Sequence, residues 1–92
     1  MMPPMTFPGG SAWAMARDIA EGYLTITERT FRGLTRGDLD QLTFELERCL
    51  RDLRGDQAPL DDIPAIQARN RKIQRVNTAA MVLRSYRAKA KT

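Results

Sequence analysis

Apolar residues recur along most of the chain at three- and four-residue steps, the spacing that gathers them on one side of a helix. The clearest case is "GLTRGDLDQLTFELERCLRDLRGD", in which Leu39, Leu42, Leu46, Cys49, Leu50 and Leu53 form one leucine-rich stripe. This pattern predicts a helix over 36–54. Thr35 is its expected N-cap, Asp38 suits the positive first turn, and Leu34 can close on Leu39 as a hydrophobic staple. Glu47 and Arg51 stand four apart on its polar side as an ion pair. Gly55 is expected to end the helix in a left-handed cap. Phe44 falls off the stripe, and a large ring there implies a second contact surface.

A helix is also predicted over 12–33, capped by Ser11, with Trp13, Ala16, Ile19, Tyr23, Ile26 and Thr30 at helical spacing. Gly22 and the three threonines weaken it. Thr25 and Glu28 have capping-box spacing, which favours a kink or restart near Gly22, and "YLTIT" also fits a short strand. The last segment, 63–89, lacks glycine and has proline only at Pro64, in its first turn. Ile66, Ile73, Val76, Ala80 and Leu83 share its apolar face, whereas Arg71, Lys72 and Arg75 are expected to point away from that face.

Length separates this last helix from its neighbour. At about 1.5 Å per residue the middle helix spans roughly 27 Å and the last roughly 38 Å. The turns in "RSYRAKAKT" should therefore overhang, because Arg84, Arg87 and Lys91 take the angular positions that Ile73, Val76 and Ala80 use for the core. Asn70 and Asn77 stand one heptad apart, in register with Ile63, at the edge of the apolar stripe. Such amides fix register in a helix seam. Placed at an exposed flank, they carry no such role.

The fold class expected is all-α, a small three-helix bundle made of a helical hairpin plus an N-terminal helix, completed by oligomerisation. Residues 1–10 hold three of the five prolines and two of the six glycines, and read as a flexible leader to a single domain over 11–92. Ninety-two residues at 42% hydrophobic give a thin stability margin, and neither a disulfide nor a common zinc set can be built from one cysteine and no histidine. Self-association through Leu39, Leu42, Phe44, Leu46, Leu50, Leu53, Asn70 and Asn77 is the remaining route. No stretch is long and apolar enough for a membrane span or a signal peptide, so a cytoplasmic protein is expected.

Charge divides the chain. Residues 1–62 carry seven basic and eleven acidic groups, and residues 63–92 carry eight basic and no acidic ones. Three explanations fit: the last helix packs against the acidic helices, it offers Arg71, Lys72, Arg75, Arg84, Arg87 and Lys91 to phosphates or to an acidic protein partner, or it lies on an acidic membrane surface, for which its apolar face lacks an anchoring tryptophan or phenylalanine. Tyr86, between Arg84 and Arg87, either stacks on an exposed base or is an ordinary surface tyrosine. No helix-turn-helix spacing, RNA-binding signature or phosphate loop occurs, so nucleic-acid contact would run through the backbone with little sequence specificity.

Catalysis is poorly provided for. Without histidine there is no imidazole base for a serine or cysteine triad. Cys49 beside leucines reads as a small apolar group with a raised pKa. Asp52 with Asp56, and Asp61 with Asp62, could hold magnesium, but helix ends collect aspartates anyway. The expectation is a non-enzymatic interaction module without cofactor, with nucleic-acid binding through the basic last helix as the alternative.

Overall fold

The computed structural model describes residues 11–55 and 60–90, and the backbone alone at Ala90. The described residues form four helices: α1 over Ala12–Glu21, α2 over Glu28–Phe31, α3 over Arg36–Gly55 and α4 over Ile63–Ala90. The all-α bundle expected from periodicity is what forms. α3 and α4 make a hairpin, α1 packs on both of them, and α2 packs on α4. The leader at 1–10, Asp56 and Lys91 lie outside the described residues.

The helix expected over 12–33 is two helices. Ser11 Oγ accepts from Ala14 N–H at 3.1 Å and starts α1, and Gly22, at φ 86°, ends it in the left-handed conformation. There the N–H groups of Gly22 and Tyr23 return to Ile19 O and Asp18 O at 3.1 and 2.8 Å, satisfying carbonyls the helix would otherwise leave open. Residues 24–27 are not helical, and Thr27 is extended; Leu24 and Ile26 are partly buried and Thr25 and Thr27 exposed. That alternation explains the strand-like look of "YLTIT", although no strand is assigned among the described residues. The restart is capped at Thr27, two residues beyond the expected Thr25: Thr30 Oγ1 accepts from Thr27 N–H at 3.3 Å.

Shortening α1 also moves its apolar face. Ala12, Met15, Ala16, Ile19 and Ala20 are buried, whereas Trp13 and Tyr23, expected on that face, are 52% and 81% exposed. Alanines at four of the helix's inward and flanking positions let α1 lie close against the hairpin, and Trp13 instead stands under the Arg17 guanidinium at 4.8 Å.

α3 starts as expected. Asp38 N–H donates to Thr35 Oγ1 at 3.1 Å and Thr35 N–H to Asp38 Oδ2 at 3.0 Å, a reciprocal cap. Leu34 and Leu39 are both buried beside it. Gly55, however, is the last helical residue and has no left-handed φ; among the described residues that conformation belongs to Gly22 alone. The expected Glu47–Arg51 pair is not formed among the described residues, where Glu45 pairs with Arg48 at 3.7 Å.

The core draws on every helix: Met15 and Ile19 from α1, Phe31 from α2, Leu39, Leu42 and Leu46 from α3, and Val76, Ala79 and Leu83 from α4. Phe31, Met15, Leu42, Leu46, Leu83 and Val76 are the largest fully buried side chains. At roughly 1.5–3 kcal/mol for each large apolar side chain fully buried, these six form the main stabilising unit.

Candidate interaction surface

The end of α4 does not overhang. α2 folds back over it, setting the Phe31 ring 5.4 Å from that of Tyr86 at an interplanar angle of 49°. The one-turn α2 is what the length comparison of α3 with α4 could not include. Tyr86 is partly buried and holds Phe31 out of water, so it is a packing residue and not a surface available to a base.

Basic side chains of α4 are used in the same way. Lys72 pairs with Glu21 at 3.0 Å, Arg75 donates to Ala20 O at 3.0 Å, Arg87 donates to Thr43 Oγ1 at 3.1 Å and pairs with Asp40, and Lys89 meets Glu28 at 2.8 Å. Lys72 and Arg75 therefore face α1 instead of pointing away from the bundle. Their positive groups sit at the α1 C-terminus, where helix carbonyls carry partial negative charge. Three of these basic residues, Lys72, Arg75 and Lys89, thus link the N-terminal elements to the hairpin, and Arg87 ties α4 to α3, which together account for much of the charge division read from the chain. Arg71 and Arg84 are exposed and have no such partner among the described residues.

The protonation of Glu28 and of Cys49 is displaced. The Lys89 ammonium, through its hydrogen bond and its charge, holds the Glu28 carboxyl below the usual carboxylate range. Burial, reinforced by the Asp52 carboxylate, pushes the Cys49 thiol up, so at neutral pH it is a thiol and not a nucleophilic thiolate. Among the described residues no group of three or more His, Cys, Asp or Glu could hold a metal ion. No described helix is long and apolar enough to cross a membrane.

The residues expected at an oligomer interface divide into three sets. Leu39, Leu42 and Leu46 are buried in the chain's own core, so their side chains are not free to form an interface; α1 and α4 cover the stripe. Phe44 is 58% exposed on the α1 side of α3, where it lines a shallow recess with Trp13. The third set borders the opposite side of the hairpin. There Thr43, Leu46, Glu47 and Leu50 of α3 face Asn77, Ala80, Leu83 and Arg84 of α4 across an open trough of about 540 Å³. Leu53 is partly buried further along α3, and Asn70 is exposed one heptad before Asn77, on the same side of α4.

Periodicity placed Ala80 on the apolar face of the last helix but missed Thr43 and Ala88 as elements of this trough. Their signal is size: small side chains facing each other across two long helices leave room that leucines would fill.

The architecture defines a small all-α bundle whose hairpin is covered on one side and open on the other. Compared with known proteins, the chain matches no family model, no curated protein and no solved structure.

Proposed function

We propose that the protein is a non-enzymatic, cytoplasmic interaction module that assembles with a second copy of itself through the open side of the α3–α4 hairpin. The observation that carries this reading is the trough itself: half-covered apolar side chains, Leu50 and Ala80, line it between rims of opposite charge. Glu47 on α3 and Arg84 on α4 are exposed there, and neither has a partner among the described residues. A two-fold contact is self-complementary, so Glu47 of each copy would meet Arg84 of the other. Asn77 would then lie in the seam, with Asn70 extending it, and matched amides would set the register. A lone cysteine without a disulfide partner suits a reducing compartment.

Laying α4 along phosphates has weaker support, because Lys72, Arg75, Arg87 and Lys89 already serve the bundle. An acidic protein partner faces the same shortage of free cations.

Sedimentation equilibrium at micromolar concentration tests the proposal. The parent chain should be a dimer, Glu47→Arg should be monomeric, and the double exchange Glu47→Arg with Arg84→Glu should restore association. A folded monomer at every concentration would refute self-assembly. Copurification of nucleic acid at low salt, read from the 260 to 280 nm absorbance ratio, would move the assignment to phosphate binding.

A further inference from the structure

A second opening lies on the other side of the molecule, between α4 and the non-helical linker that interrupts the first helical segment. Its volume is about 450 Å³, within the range of small-molecule sites. Ile19, Leu24, Ile26, Ala79 and Val82 provide an apolar floor and walls, and Thr25, Gln74 and Thr78 add neutral polar groups. Arg71 and Arg75 stand on its rim.

We infer that this cleft is a binding site for a small organic anion with an apolar body, its carboxylate or phosphate held by Arg71 and Arg75. The two arginines are four apart on α4, a spacing that brings like charges together on one helix face and costs stability unless an anion answers them. No acidic residue is among those lining the cleft. Arg75 is fixed by its bond to Ala20 O, but a carbonyl brings no net negative charge. Gly22 keeps that arrangement in place: a Cβ there would come within 3.0 Å of the Arg75 Cζ atom. Arg71, one turn away, has no hydrogen-bond or ion-pair partner among the described residues.

Both guanidinium groups can fork onto anionic oxygens, and the apolar floor beneath them favours a ligand with an aryl or short alkyl body over a bare ion. The cleft uses Ile26 and Leu24, which the left-handed turn at Gly22 brings across α4. A continuous helix over 12–33 would not make it. This site is separate from the α3–α4 trough and does not depend on self-association.

Phenyl phosphate, inorganic phosphate and benzyl alcohol, titrated into the full chain and followed by amide nuclear magnetic resonance, distinguish the outcomes. Phenyl phosphate should give saturable shifts at Gly22, Thr25, Ile26 and Thr78. Inorganic phosphate should bind more weakly and benzyl alcohol should not bind. Arg71→Gln should weaken phenyl phosphate by about tenfold or more, the scale of one lost hydrogen bond to a charged group. Thr78→Phe, at an exposed lining position, should fill the cleft and abolish the shifts while the remaining amide spectrum stays native. Absence of saturable shifts, binding unchanged in Arg71→Gln, or equal affinity for phenyl phosphate and either control would overturn the inference.

Discussion

Replacing Tyr86 with alanine tests the structural account most directly, because the chain's length pattern expects the turns in "RSYRAKAKT" to overhang and the fold makes Tyr86 part of the core's lid. Tyr86 covers Phe31, which is fully buried, and their rings meet at 5.4 Å. An aromatic pair of this kind contributes about 0.5–1.5 kcal/mol beyond burial. Losing a partly buried ring adds about 1 kcal/mol more, half or less of the amount for a fully buried one. Exposure of the Phe31 face brings the expected cost to about 2–3 kcal/mol. For a domain of this size that is a fall in Tm of roughly 10–20 °C. Thermal and urea denaturation followed by circular dichroism measure it, with Ser85→Ala as an exposed control. Combining Tyr86→Ala with Phe31→Leu should give a coupling energy of about 0.5–1.5 kcal/mol in a double-mutant cycle. If Tyr86→Ala melts with the parent, or the two substitutions simply add, α2 does not cap α4 and the overhang reading is restored.

Gly22→Ala forces a side chain into the left-handed region and against Arg75, so it should cost at least about 1–2 kcal/mol, read as a lower Tm, whereas Gly33→Ala, with open space around its Cβ, should cost far less. Glu28 titrates below its unfolded pKa in the folded chain, so its pairing with Lys89 supports the fold above the unfolded pKa and loses that support as pH falls through the depressed folded value; Lys89→Gln should return the carboxyl resonance midpoint upward. The raised Cys49 pKa works in the opposite direction: its contribution is full below the unfolded thiol pKa and is lost as pH rises toward the folded one. Reaction of Cys49 with a disulfide reagent at neutral pH should accordingly be slower in the folded than in the urea-unfolded chain, and equal rates would contradict its burial.

Local chemistry was enough to place several elements. The Thr35–Asp38 cap, the staple leucines and the leucine stripe of α3 are legible because each involves residues three to five apart, where helix geometry alone sets who meets whom. Gly22 was legible as a weak point for the same reason, and its left-handed turn is a local property of a residue without Cβ.

The uses to which side chains are put required the tertiary structure. Whether Arg75 faces water or the end of α1 depends on an acceptor fifty-five positions away, and Lys89 finds Glu28 across sixty-one. No periodicity encodes those distances. The same holds for the leucine stripe: its helix is a local matter, but whether Leu42 and Leu46 meet a second copy or the chain's own α1 and α4 is decided by how closely an alanine-rich α1 can approach. Composition and spacing thus determined an all-α chain with a basic final helix. Only packing decided which charges that helix keeps for itself and which, at Arg71 and Arg84, it leaves facing outward, because burial and charge pairing are properties of surfaces that come together after the local elements have formed.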